Sequence, residues 1–128
     1  MNKLLGGLML VLMSSNALAD WTNVGENGGS IIYANYSSIR TNGENKKMWV
    51  LQDFKTIQSI STYKYLSTKS INEYDCQGVQ LRLLAYTWFE GNMGTGKVVY
   101  SHDETLNWQQ VQPESIGEVI WKVACGKQ

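Results

Sequence analysis

Glu90-Gly91-Asn92-Met93-Gly94-Thr95-Gly96-Lys97-Val98-Val99-Tyr100 contains a glycine followed five residues later by Gly-Lys. That spacing resembles a nucleotide-binding P-loop, and the choice between P-loop and hairpin decides the fold. A P-loop needs open backbone for phosphate, a lysine for the β/γ-phosphates and a Ser or Thr for magnesium. Val98 stands at the magnesium position. A P-loop also runs into a helix whose N-terminus holds the anion. Here the chain runs into Lys97-Val98-Val99-Tyr100, three of whose four residues favour strands. The segment therefore reads as a glycine-rich hairpin joining Leu81–Phe89 to Val98–Tyr100, its glycines permitting positive φ. No nucleotide is expected.

A hairpin implies antiparallel sheet, and the rest of the chain reads the same way. Gly, Asn and Ser cluster at Gly25–Ser30, Thr41–Asn45 and Gly91–Gly96, which marks turns. Between them lie runs rich in β-branched and aromatic residues: Ser30–Tyr33, Lys47–Lys55, Val79–Phe89 and Lys97–Ser101. Ser61–Leu66 and Ser70–Cys76 are weaker strand candidates. After Pro113 the period changes. Ser115-Ile116-Gly117-Glu118 has the form of a capping box. Ile116, Val119, Ile120 and Val123 form one helical stripe, and Gly126 supplies a stop. The expected fold class is α+β: a single antiparallel sheet of about five or six strands, with a C-terminal helix packed on one face and one disulfide.

The N-terminus, MNKLLGGLMLVLMSSNALA, has a positive start, a short apolar run and the small-x-small site Ala17-Leu18-Ala19. It reads as a signal peptide over residues 1–19, leaving one domain over residues 20–128. The apolar run is shorter than the ~20 residues needed to span a bilayer. No cysteine lies near the cleavage site, so a lipoprotein is not expected. In an oxidising compartment, Cys76 and Cys125 are most simply a disulfide. A redox or metal pair would want closer spacing or nearby histidines.

Formal charge is balanced, which lacks the basic footprint of a nucleic-acid binder. His102 is the sole histidine. Followed by Asp103 and Glu104, it reads as part of a solvated loop. A catalytic triad needs convergent groups, and one histidine beside two carboxylates makes a poor metal set. No catalytic residue, metal ligand or cofactor is assigned.

Aromatic residues are the more informative signal: five tryptophans, seven tyrosines and two phenylalanines. Strict alternation along Leu81–Phe89 puts Leu81, Leu83, Ala85 and Phe89 on one face, and Leu84, Tyr86 and Trp88 on the other. Likewise Trp49 and Leu51 oppose Met48, Val50 and Phe54. One helix covers one face, so the second must meet a folded-back segment, another subunit or a ligand. Trp49, Tyr86 and Trp88, with Lys97 on the adjoining hairpin, are the candidate binding surface.

Several segments together resemble the surface-adhesin protein E family of exported Gram-negative proteins. They are Trp49-Val50-Leu51-Gln52-Asp53-Phe54-Lys55, Glu73-Tyr74-Asp75-Cys76 with Arg82, and Gly91 to Val99. Trp108, Pro113-Glu114-Ser115 and Val123-Ala124-Cys125-Gly126 complete the match. The resemblance implies an antiparallel sheet with a helix tied by one disulfide, and adhesion through host extracellular proteins. The expected partner is thus a protein, a host extracellular matrix protein or an envelope protein, with a homodimer as a further expectation. The alternative is a periplasmic protein that binds or inhibits an envelope enzyme or toxin. Expected locations are the periplasm, the medium or the cell surface.

Overall fold

The computed structural model describes residues 20–127, so the signal-peptide segment lies outside the described residues. Eight strands form one antiparallel sheet: β1 (Thr22–Glu26), β2 (Ser30–Ala34), β3 (Arg40–Asn42), β4 (Asn45–Ile60), β5 (Tyr63–Asp75), β6 (Gln80–Phe89), β7 (Val98–His102) and β8 (Gln109–Gln110). Helix α1 (Ile116–Cys125) follows. The sheet order is β1-β2-β4-β5-β6-β7, with β3 also pairing β4 and β8 also pairing β6. Eight strands exceed the expected five or six because β1, β3 and β8 are short polar edge segments without an apolar pattern. The two weak candidates, Ser61–Leu66 and Ser70–Cys76, fall mostly within one continuous strand, β5, with Ser61, Thr62 and Cys76 in the flanking turns.

The glycine-rich stretch is a hairpin loop, as its residue types require. Glu90 N donates to Lys97 O at 2.8 Å, closing the turn between β6 and β7.

The helix forms where the capping residues place it. Ser115 Oγ accepts from Glu118 N at 3.2 Å, and Glu118 Oε1 accepts from Glu114 N at 3.1 Å. Gly126 ends the helix in the left-handed region at φ 68°, its N–H turned back onto Lys122 and Val123 carbonyls. Ile120, Trp121 and Ala124 pack on Ile32, Ala34, Met48, Val50 and Tyr74 to make the core. Trp121 Nε1 donates to Asp75 O at 2.9 Å, so the largest helix side chain buries without losing its polar partner. The Cys76–Cys125 disulfide ties the helix end to the sheet next to that bond.

Scale matters here. Ten helical residues span about 15 Å at 1.5 Å each. The sixteen residues of β4 run about 50 Å at 3.3 Å each. The helix covers one end of its sheet face and leaves the other end uncovered.

Candidate binding site on the sheet

A β-bulge arranges the open end. Ile71 pairs with Ala85 and Asn72 with Leu83, so Leu84 is an extra residue in β6. An inserted residue reverses the alternation beyond it. Leu81 and Leu83 therefore share a face with Tyr86 and Trp88, not with Ala85 and Phe89. This corrects the strict period-two reading. Tyr86 and Trp88 lie on the helix's own face, beyond its end. Trp49 lies on the opposite face, across from Ile71. Lys97 is exposed at the mouth of the β6–β7 hairpin, beside Thr62, Tyr63 and Glu90. The four candidate residues do not form one site.

What converges instead is a row of rings. Tyr65 stacks on Trp88 with centroids 4.4 Å apart, Tyr86 lies 6.0 Å from Trp88, and His102 lies 5.3 Å from Tyr86. These three neighbouring pairs are near-parallel, with interplanar angles of 23°, 26° and 27°. Tyr100 packs 5.0 Å from Trp88, Tyr63 5.3 Å from Tyr100, and Phe54 edge-on 5.7 Å from Tyr65. Register places them: Trp88 pairs with Tyr100 and Tyr86 with His102 across β6 and β7. Tyr63 and Tyr65 come from beyond an irregularity in which residues 54–57 of β4 stand opposite Leu66 alone. A break of that size adds twist, and the tip of the β4–β5 hairpin joins its tyrosines to the row.

His102 is therefore not a solvated loop residue. It ends β7, half-buried against Tyr86. Burial first, and then Tyr100, push the Tyr86 phenol above its ordinary pKa, so it stays a neutral hydroxyl. Beside the rings opens a groove of about 450 Å³, whose lining includes Gln52, Phe54, Thr68, Ser70, Leu83 and Trp88. No charged side chain lines it.

One end of the opposite face is covered by the glycine-rich loop, while Trp49 further along it is exposed. Asp53 Oδ1 accepts from Met93 N at 2.8 Å and Asn92 Nδ2 at 3.0 Å, and Ser67 Oγ accepts from Gly94 N at 2.8 Å. Ser67 Oγ in turn donates to Gly91 O at 2.6 Å. The loop thus reaches from β6 across β5 to β4. Gly94 has φ +70°, and a Cβ there would sit 2.5 Å from Lys69 Cε. Conformation is what requires glycine here, since the flexible end of Lys69 can shift away from a Cβ. Lys69 lies between the Trp21 and Phe89 rings, at 5.8 and 5.4 Å from their centroids. Leu51 beneath is fully buried.

Further along this face, Glu73 is only 3% exposed. It accepts from Arg82 at 2.8 and 3.0 Å, from Asn42 at 2.9 Å and from Asn45 at 3.0 Å. Burial opposes ionisation most strongly. The hydrogen bonds from Asn45, Arg82 and Asn42, with Arg82's charge, outweigh it together and hold the carboxyl below its usual pKa. The Arg82 guanidinium also stacks 4.4 Å from the Trp108 ring. This cluster fastens the β3–β4 turn to the sheet. Its bonds are saturated, which gives it a structural role. Among the described residues no three His, Cys, Asp or Glu side chains stand close enough to hold a metal ion, and no helix is long and apolar enough to cross a membrane.

Sequence reasoning missed Phe54, Tyr63, Tyr65, Tyr100 and His102 as members of the row. Two signals were present: the alternating pairs Tyr63-Lys64-Tyr65 and Tyr100-Ser101-His102 each put two rings on one face.

The fold has solved counterparts. Crystal form II of Haemophilus influenzae protein E superposes with a TM-score of 0.68 at 9% identity, over 87% of this chain and 91% of that one. The selenomethionine form of the same protein gives 0.66 at 9% identity, over 87% and 89%. Protein E from non-typeable Haemophilus influenzae gives 0.63 at 9% identity, over 88% and 79%. At this identity the likeness concerns the fold alone. Among curated proteins none matches the chain in sequence. Residues 21–126 match the family described as Surface-adhesin protein E. With that match over nearly all of the domain, and a fold shared with protein E, the chain belongs to the surface-adhesin protein E family.

Proposed function

We propose that this chain is an exported, non-enzymatic binding domain, adhesin-like, that recognises a protein partner through the ring-lined groove. One observation carries the reading. The helix covers one end of its sheet face, and the other end presents Tyr86, Trp88 and Tyr100 beside a neutral groove with no covering element among the described residues. Tyr and Trp supply large contact area at small conformational cost, which is why they dominate binding hot spots. Family membership points to the same class of activity. The His102 ring is engaged with Tyr86 and is not hydrogen-bonded to Asp103 or Glu104, which supports recognition over catalysis.

Trp49 and Lys97, set apart from the row, are peripheral in this reading. The test is protease shaving of intact cells, followed by capture of extracellular matrix proteins on the purified chain. Cleavage or release, with capture lost in Trp88→Ala and kept in Trp49→Ala, is the expected result. Full protection with recovery in the periplasmic fraction, and no matrix capture, would overturn surface adhesion. It would direct the search to an envelope enzyme or toxin.

A further inference from the structure

We infer that the tip of the β4–β5 hairpin is a second contact surface, which docks on an anionic phospholipid bilayer independently of the groove. The first observation is topology. β2 leaves β4 at Phe54, and β6 leaves β5 at Ser67. Beyond those pairs β4 and β5 run on alone to the Ser61-Thr62 turn, paired through Gln58–Tyr65, Ser59–Lys64 and Ile60–Tyr63. An unflanked two-stranded ribbon is marginal in water. Here Tyr63 and Tyr65 brace it against Tyr100 and Trp88, so the apolar residues further out are not needed to hold it.

The second observation is exposure. The three most exposed large apolar side chains among the described residues all lie at this end: Ile57 at 64%, Ile60 at 53% and Val98 at 50%. Tyr63, directly opposite Ile60, is 40% exposed. Single apolar residues scattered over a surface need no explanation, but their concentration at one projecting end does.

The third observation is charge, and it selects the partner. From Phe54 to Asn72 the chain carries Lys55, Lys64 and Lys69 and no acid. Lys97 lines the same recess as Lys64, where Glu90 is the sole acid. The ion pairs among the described residues are Arg82–Glu73 and Lys122–Glu118, so the lysines of the tip are uncommitted. The whole chain is formally neutral, which makes this positive charge local. Isoleucine, tyrosine and lysine together suit a bilayer surface. Apolar side chains enter the acyl boundary, a tyrosine sits at headgroup level, and ammonium groups on long stems reach the phosphates. A bilayer is fluid and accepts each side chain singly, whereas a rigid protein would need a matching recess for each projecting isoleucine.

The backbone sets the depth. The outer edges of an unflanked ribbon carry unpaired N–H and C=O groups, which hydrocarbon cannot satisfy. The tip therefore rests among headgroups and does not span. Lys97 and Val98, which take no part in the ring row, belong to this surface.

The experiment is sedimentation of the purified chain with vesicles. One set holds phosphatidylglycerol and phosphatidylcholine in equal parts, and the other phosphatidylcholine alone. Binding to the mixed vesicles that falls with added salt, and little binding to phosphatidylcholine, is expected. Ile57→Ser with Ile60→Ser should weaken it about tenfold or more, and Lys55→Gln or Lys64→Gln about fivefold each. All four side chains are exposed, so melting temperatures should stay within a few degrees of the wild type. No binding of the folded chain to mixed vesicles would overturn the inference. Equal binding by the double isoleucine variant would overturn it too, because charge alone would then suffice. So would loss of protein capture in that variant with vesicle binding kept, which would reassign the tip to a protein. Matrix-protein capture is a separate readout. Capture without vesicle binding means that this inference alone has failed, and vesicle binding without capture means that the groove reading has.

Discussion

The two ends of one sheet face solve the same problem differently. At the helix end, Met48, Val50, Tyr74 and Ile32 are hidden beneath Ile120, Trp121 and Ala124, with a disulfide at the rim. At the other end the rings of Tyr63, Tyr65, Tyr86, Trp88 and Tyr100 cover one another. Side-on stacking hides much of each ring's area, and aromatic pairs add about 0.5–1.5 kcal/mol beyond that burial. A stacked row thus persists in water without a lid, leaving edges and polar tips exposed. The contrast explains how a small domain leaves aromatic edges uncovered and still folds.

The largest expected effect isolates the helix end. Reducing Cys76–Cys125 should lower stability by about 4 kcal/mol in the chain-entropy model. Chemical denaturation with and without reductant measures it, and the Trp88 and Tyr86 resonances should keep their folded positions below the transition. Loss of ring-row shifts before global unfolding would break the division into two ends.

Next comes the back of the sheet, which both ends share. Glu73→Gln removes a charged acceptor of four hydrogen bonds and should cost about 1.5–3 kcal/mol at pH 7. The sign with pH is fixed by the lowered pKa. Glu73's contribution is complete above its unfolded value of about 4.3. It fades as pH falls through the lower folded value. Urea denaturation between pH 7 and pH 3 should show a steeper acid decline for the wild type than for Glu73→Gln. Parallel curves would contradict the assignment.

A smaller effect concerns the loop. Gly94→Ala forces a side chain into the left-handed region and against Lys69, and should cost about 1–2 kcal/mol. The effect should appear at Lys69 and Leu51, leaving the groove intact. The smallest change is a gain. A Cβ at Gly117 would meet Ser115 Oγ at 3.5 Å and Leu81 Cδ2 at 3.6 Å, ordinary contacts. Gly117→Ala should therefore stabilise by about 0.5–1 kcal/mol in thermal melts, acting on the helix end alone.

The elements were largely legible, and the site only partly. Ser115, Glu118 and Gly126 mark the helix because capping is local chemistry, and the Gly91–Gly96 turn is legible for the same reason. Leu84 is different. Nothing in Leu83-Leu84-Ala85 marks one residue as extra, because a bulge is imposed by the partner strand's register. That single insertion moved Tyr86 and Trp88 to the helix's side and separated them from Trp49. Tyr63 and Tyr65 were hidden for a similar reason: their approach depends on the irregularity opposite Leu66, a tertiary event. Short edge strands such as Gln109–Gln110 carry no apolar pattern because both their faces are wet.

The most direct test of an open recognition surface follows the five tryptophan indole N–H signals while a captured protein partner is added. Trp88 should shift or broaden, with Trp49 and the Asp75-bonded Trp121 unmoved. Movement of Trp49 with Trp88 unchanged would place recognition on the other face and contradict the account.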